Sequence, residues 1–152
     1  MQIEDNLELK NYNRAIYGNG SIVEESMRMP CFQRMDILFV DFGLLAENCL
    51  IHKCRPAIVV STTEYNRQSP VMQVIPMSRQ LKGLDRNYHV FIDQADCDNL
   101  RGSGMAMIEQ MQTIDRRQVQ HRIGCVIDQR LIEKLGQAVR FQLGMEGVSN
   151  GK

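Results

Sequence analysis

Five short runs of β-branched and aromatic residues, separated by polar turns and followed by a single amphipathic helix, constrain this chain more than any other feature. The runs cover residues 35–42, 55–61, 71–77, 88–93 and 104–110. Each has strand length, and each stops at turn-forming residues such as Gly43, Asn66–Pro70 or Gly102–Gly104. Pro56 stands near the start of the second run, where a missing ladder donor is tolerated. After these runs, Leu131, Ile132, Leu135, Ala138 and Val139 recur with helical spacing and give one apolar stripe over residues 129–143. Asp128 is the natural N-cap and Gly144 the natural C-terminal stop. Gly136 costs that helix about 1 kcal/mol relative to alanine, a cost the pattern assigns to close packing. The expected fold is therefore mainly β with a C-terminal α-helix, a small barrel or sandwich closed by that helix.

The first thirty residues do not share this pattern. They are polar and Asn-rich, contain Gly18-Asn19-Gly20-Ser21, and end at Pro30. We expect an N-terminal extension over residues 1–31, mostly irregular with a short helix near 22–27. A folded domain over 32–145 and a flexible tail over 146–152 complete the division.

Composition excludes several classes. The 152 residues are enough for an ordinary core, with 43% apolar and 24% charged side chains. No run reaches the roughly 18 apolar residues of a membrane span, and no secretory leader stands at the start. Five cysteines, Cys31, Cys49, Cys54, Cys97 and Cys125, have irregular gaps and form no C-x-x-C. That suits free thiols in a reducing cytoplasm, and neither a disulfide framework nor a zinc site. His52, His89 and His121 lie far apart and form no metal pair.

Net charge is zero, yet arginine outnumbers lysine 13 to 5. Arginine is the better bidentate partner for phosphate. Residues 1–30 carry five acidic and three basic side chains, whereas residues 50–122 carry ten basic and seven acidic. The tilt permits a local basic groove without requiring one.

Polar residues gather where strands meet loops: Arg55, Ser78 with Arg79, and Glu109 with Gln110, Gln112 and Arg116. On spacing alone Arg55 can equally cap a turn, and Ser78 can simply open a loop. The chain contains no glycine-rich phosphate loop, nucleophile elbow or zinc-protease helix.

Five segments in register say more. Arg34-Met35-Asp36-Ile37 resembles the opening R-G-D-I of the MazF/PemK/Kid toxins. Lys53-Cys54-Arg55-Pro56-Ala57-Ile58-Val59-Val60-Ser61 resembles their R-P-x-hydrophobic-V strand. Tyr65-Asn66-Arg67-Gln68-Ser69-Pro70 is similar to their N-R-x-S-P turn, and Val74-Ile75-Pro76-Met77-Ser78-Arg79 to their V-x-P-hydrophobic-T segment. Ile108-Glu109-Gln110-Met111-Gln112-Thr113-Ile114-Asp115-Arg116-Arg117 resembles their E-Q-I-R-T-I-D-K-R segment. The likeness runs from about Arg34 to Gly144 and leaves residues 1–30 outside.

The resemblance implies a small SH3-like, CcdB-like barrel that forms a homodimer. It implies a metal-independent, sequence-selective endoribonuclease (an mRNA interferase) that cleaves single-stranded RNA to 2′,3′-cyclic phosphate and 5′-hydroxyl ends. Such a protein is the growth-arresting toxin of a toxin–antitoxin pair, and its partner is an acidic antitoxin peptide. No cofactor is implied. Arg55 corresponds to the family's catalytic arginine, and Ser78 stands where many members carry a catalytic threonine. Glu109, if burial raises its pKa, and His52 are the two candidates for the base that activates the ribose 2′-hydroxyl. Lys53, Asn66, Arg79, Gln110, Gln112 and Arg116 are expected to contact RNA.

Four departures accompany the likeness. Met35 stands where the family has glycine, Ser78 where it has threonine, and Gln112 where an arginine is common. The apolar loop around Leu44–His52 lacks the usual glycine pattern. Two other activities suit the same fold: a non-enzymatic inhibitor such as a gyrase poison, and a catalytically silent RNA-binding relative. The acidic extension could cover the groove as a built-in brake.

Overall fold

The structure is a computed structural model that describes residues 3–18, 20–44, 47–80 and 88–145, with residues 3–6 described through their backbone alone. The expected tail over 146–152 and most of the charged loop after Ser78 lie outside the described residues.

Eight strands form one curled antiparallel sheet: β1 (Asp36–Asp41), β2 (Cys54–Val59), β3 (Val71–Ser78), β4 (His89–Ile92), β5 (Cys97–Asp98), β6 (Gly104–Met107), β7 (Gln112–Asp115) and β8 (Val119–Val126). The order across the sheet is β4-β6-β3-β2-β1-β8-β5, with β7 also paired to β3. β6 and β7 follow one another along the same edge of β3. Met77 and Ser78 pair with Ala106 and Met105, while Val71–Val74 pair with Asp115–Gln112. Between the two ladders the partner strand spends three extra residues on a 3₁₀ turn, Ile108–Gln110. The fifth expected strand therefore ends at Met107, because its last three residues buckle out of the sheet.

Alternation along the strands separates two cores. Ile37, Ile58, Ile75, Val90, Ile92 and Ile108 face the terminal helix α4 (Gln129–Gln142) and meet its Leu131, Leu135 and Ala138. Leu38, Val40, Ala57, Val59, Met72, Val74, Ile114 and Val119 fill the opposite, concave side together with Phe32. α4 forms where its stripe predicts it. Leu131 N donates to Asp128 Oδ2 at 3.2 Å, and Gly144 ends the helix at φ 70°. Gly136, however, has no atom within 4 Å of where a Cβ would stand, so close packing does not explain it.

The N-terminal extension is more helical than expected: α1 spans Ile3–Tyr17, and α2, Gly20–Arg28, contains the short helix expected near 22–27. Its asparagines read as loop formers, but the intervening Leu, Glu, Lys, Ala and Arg are good helix residues. Gly18, at φ 78°, turns the chain between the two helices, and its N–H donates to Arg14 O. Other elements also escaped the pattern, the short β5 and β7 among them. α3 (Thr63–Gln68) occupies the N-R-x-S-P segment and is capped by the Thr62 hydroxyl, which accepts from Tyr65 N. β8 was hidden by its polar side chains, four of its first five residues being only partly covered or exposed.

The helical arm docks at the N-terminal end of β3. Asn13 Nδ2 donates to Gln68 O at 3.2 Å, Ser26 Oγ to Asp115 Oδ1 at 2.6 Å, and Arg117 meets Glu25 at 3.3 Å. Ser78 lies at the other end of β3, on the order of 23 Å away at strand spacing. The docked residues of the arm, Asn13, Glu25 and Ser26, thus sit at the opposite end of β3 from Ser78.

Candidate active site

Arg55 and Ser78 belong to neighbouring strands, β2 and β3. β2 and β3 pair Ala57 with Pro76, Ile58 with Ile75 and Val59 with Val74. That ladder ends at Ala57 and Pro76, two residues short of Arg55 and Ser78, so the two half-buried residues stand at adjoining ends of neighbouring strands. Arg55 pairs with Val40 on β1, and Ser78 with Met105 on β6. Arg55 Nε donates to the His52 carbonyl at 3.3 Å, which turns the guanidinium back towards the loop before β2. Ser78 Oγ accepts from Gln80 N at 3.2 Å, and its own proton is available to an acceptor.

The loop between β1 and β2 is clamped at its neck, where Phe42 N donates to Lys53 O and Lys53 N to Gly43 O. Gly43 and Lys53 both take positive φ, 89° and 65°. For lysine this is an uncommon backbone, and it leaves the Lys53 side chain exposed beside Arg55. Farther out, the loop is held by Gln110. Gln110 Nε2 donates to Cys49 O at 3.0 Å, and its Oε1 accepts from Ile51 N at 3.0 Å. Gln112 Nε2 donates to Gln110 O at 3.2 Å. The two glutamines thus support the loop through their side-chain amides. Arg79 is exposed just beyond Ser78.

Three expected site residues are placed differently. Asn66 is 1% exposed; it donates to Phe32 O and Ser61 O and accepts from Ser61 Oγ at 2.6 Å. Arg116 is 4% exposed and donates to the carbonyls of Ser69 at 2.9 Å, Met29 at 3.3 Å and Asn66. Both are scaffold residues, because buried polar groups satisfied by backbone are unavailable to RNA. Glu109 is not buried; its carboxylate is exposed and pairs with His89 on β4. The burial expected of it is absent.

The Met35 departure has a clear structural counterpart. Met35 adopts φ 75°, the left-handed region that a glycine enters freely. Its side chain is 5% exposed in the helix-facing core, its N–H donates to Val59 O, and its carbonyl accepts from Val126 N. The turn is closed by Asp36, whose carboxylate accepts from Gln33 N at 2.8 Å and Arg122 Nε at 3.0 Å.

Nothing in this geometry depends on a thiol. All five cysteines are free, and burial pushes the Cys97 thiol up to about 11. Among the described residues no group of His, Cys, Asp and Glu could hold a metal ion, and no helix is long and apolar enough to cross a membrane.

Comparison with known proteins agrees with the sequence resemblance. A family model described as PemK-like, MazF-like toxin of type II toxin-antitoxin system matches residues 33–143. No curated protein sequence matches the chain. Among solved structures, MazF from Deinococcus radiodurans superimposes with a TM-score of 0.62 at 20% identity, covering 77% of this chain and 98% of that one. An endoribonuclease from Mycobacterial species gives a TM-score of 0.61 at 16% identity over 78% and 97% of the two chains. A MazE–MazF structure from Deinococcus radiodurans gives 0.60 at 18% identity over 77% and 100%. Helices α1 and α2 precede the matched residues. With the five motifs in register, the curled sheet, the terminal helix and a family match over residues 33–143, this chain belongs to the PemK-like, MazF-like toxins of type II toxin–antitoxin systems.

Proposed function

We propose that this toxin is a sequence-selective endoribonuclease that cleaves single-stranded RNA without a metal, leaving 2′,3′-cyclic phosphate and 5′-hydroxyl ends. The observation that supports the reading is that Arg55 and Ser78, both half-buried, stand at adjoining ends of the paired strands β2 and β3, with Lys53 exposed nearby. In this transesterification the ribose 2′-oxygen attacks the adjacent phosphorus and the 5′-oxygen leaves. The nucleophile is internal to the substrate, so the protein has only to orient it, stabilise charge and move two protons.

Negative charge grows on the two non-bridging phosphoryl oxygens. A planar guanidinium can donate to both at once, and it is too basic to act as the proton acceptor. We assign that role to Arg55, with the Ser78 hydroxyl as a further donor. Loss of one such stabiliser costs about 10² to 10³ in rate. Glu109 being exposed and paired with His89, the base role passes to His52, whose backbone carbonyl already holds Arg55. Lys53 and Arg79 supply exposed positive charge for flanking phosphates. The protein works as a homodimer in the cytoplasm, and an acidic antitoxin peptide competes with RNA for these cations.

The test is digestion of a long mixed-sequence RNA in EDTA by the wild type and by Arg55→Ala. Discrete fragments with cyclic-phosphate ends, lost in the folded variant, are the expected result. Cleavage that persists undiminished in Arg55→Ala, or no cleavage by the wild type, overturns the reading.

A further inference from the structure

A second feature lies beside Ser78 on the other face of the same strand ends. Phe39 on β1 pairs with His121 on β8 and with Pro56 on β2. Three side chains from three adjacent strands thus form a row across the helix-facing side of the sheet, in continuation of Ile37 and Ile58 but beyond the part that α4 covers. The Phe39 and His121 rings are in contact, with centroids 5.4 Å apart and planes tilted by 36°. His121 is exposed and Phe39 half-covered.

This row floors a cleft of about 450 Å³. One wall is the chain from Asn99 to Ser103, which the backbone fixes in place. Asn99 and Gly102 take positive φ, Gly102 N donates to Gln94 Oε1 at 2.7 Å, and Gln94 N donates to Ser103 Oγ at 3.0 Å. Two glycines permit the close approach. A Cβ on Gly124 would stand 2.2 Å from Asp98 O, and one on Gly104 would stand 2.9 Å from Ser78 O. Arg79, Arg101 and Arg122 border the cleft, and none of the described residues lining it is acidic. Arg122 spends its Nε on Asp36, whereas Arg79 and Arg101 are exposed. Ser78 borders this cleft and stands at the end of β3, next to the β2 strand that carries Arg55.

A tilted pair of rings on a hydrocarbon floor, bordered by arginines, suits one class of ligand. Single-stranded nucleic acid offers both a π-face to stack and phosphates to neutralise, and an apolar protein surface offers no counterpart for the arginines. We propose that the Phe39–His121 pair is a stacking subsite for one base of the RNA, with Arg101 gripping the phosphate beside it, so that the substrate rounds the ends of β2 and β3 between this cleft and Arg55. The inference rests on the ribonuclease reading and adds His121 and Arg101 to the residues that select RNA.

The experiment measures binding of an uncleavable 2′-O-methyl RNA of mixed sequence across a salt series, with the full chain and four variants. His121→Ala is expected to bind roughly tenfold more weakly with an unchanged salt slope, since stacking is uncharged. His121→Phe is expected to restore the affinity, which a merely structural role would not do. Arg101→Ala is expected to reduce the slope of log affinity against log salt by about 0.7, the value for one phosphate contact on a single strand. If His121→Ala and Arg101→Ala keep wild-type affinity and slope while Arg55→Ala loses cleavage, the subsite is wrong and the ribonuclease reading stands. A wild type that neither binds nor cleaves RNA overturns both. If Arg101→Glu changes the oligomeric mass and leaves RNA affinity untouched, the cleft belongs to a second copy of the chain and the subsite is rejected.

Discussion

Gln110 and Ile51 are 59 residues apart in sequence, and the Gln110 side-chain oxygen accepts the Ile51 N–H at 3.0 Å. With its amide nitrogen on Cys49 O, Gln110 holds the β1–β2 loop from the neighbouring edge of the sheet. A residue expected to read bases thus positions the loop that leads into Arg55. Gln110→Ala should leave thermal stability within about 0.5 kcal/mol of wild type, as for most partly exposed changes. It should broaden the set of RNA sequences cut, because the loop loses both ties. Fragment-end mapping on a mixed RNA checks this, and an unchanged cut-site profile would count against it.

Met35→Gly would restore the residue that the family has at this turn. It removes a left-handed penalty of about 1–2 kcal/mol but deletes a buried methionine, for which truncation to alanine typically costs about 2–5 kcal/mol. The larger effect should win, with a net loss of about 2 kcal/mol. Urea unfolding decides the sign, and a more stable variant would mean that the Met35 side chain contributes little to the core.

Arg116→Ala separates scaffold from RNA contact. Removing the guanidinium leaves the carbonyls of Ser69, Asn66 and Met29 without that donor, at about 1–3 kcal/mol for each group left unsatisfied and buried. A loss of about 3 kcal/mol or more in urea is expected. RNA affinity of the folded fraction should stay within twofold of wild type. Weakened RNA binding without destabilisation would return Arg116 to the binding surface.

Asp115 makes arm docking pH-dependent. Burial pushes its carboxyl up, but hydrogen bonds from Arg117 and Ser26 together outweigh that, and the net shift is downward. A carboxylate lowered on folding contributes stability above its ordinary value, near 3.9, and that contribution is lost as pH falls through the lowered value. The stability difference between wild type and Asp115→Asn should therefore be constant from neutral pH to about 4 and shrink below it. Urea midpoints of both proteins across that range measure it. A gap that widens on acidification would contradict the assignment.

Gly136→Ala should stabilise the protein by about 0.5–1 kcal/mol. The site is in the interior of α4, nothing lies within 4 Å of the added Cβ, and alanine is the better helix residue. A shift of the unfolding midpoint to higher urea, with the same slope, is the expected readout.

What the chain reveals before folding follows the range of its interactions. α4 was legible because its stripe, Asp128 and Gly144 are local signals. The strands at Ile58 and Ile75 were legible because both faces are apolar. β8 was not, since residues such as Gln120, His121 and Arg122 point to solvent or to the Asp36 turn and spoil the alternation. α1 was missed, and α2 was expected only over 22–27, because the arm is held by contacts such as Asn13 with Gln68 and Ser26 with Asp115, 55 and 89 residues apart. The family motif singled out Arg55 and Ser78 as candidates but could not separate Gln110 from Arg116. That distinction rests on which side chain the fold turns inward, and the answer lies in carbonyls contributed by Met29, Asn66 and Ser69.

The broken strand from Met107 to Arg117 has a consequence for how such a chain can diversify. Its 3₁₀ turn holds the loop beside Arg55, and its far end holds the helical arm through Asp115, Arg116 and Arg117. A single insertion within that stretch would misalign both attachments together. An added or exchanged helical arm would disturb only the far one. Evolution, or an engineer grafting a new N-terminal module, is therefore free at one end of this toxin so long as the eleven-residue seam between its two ends keeps its length.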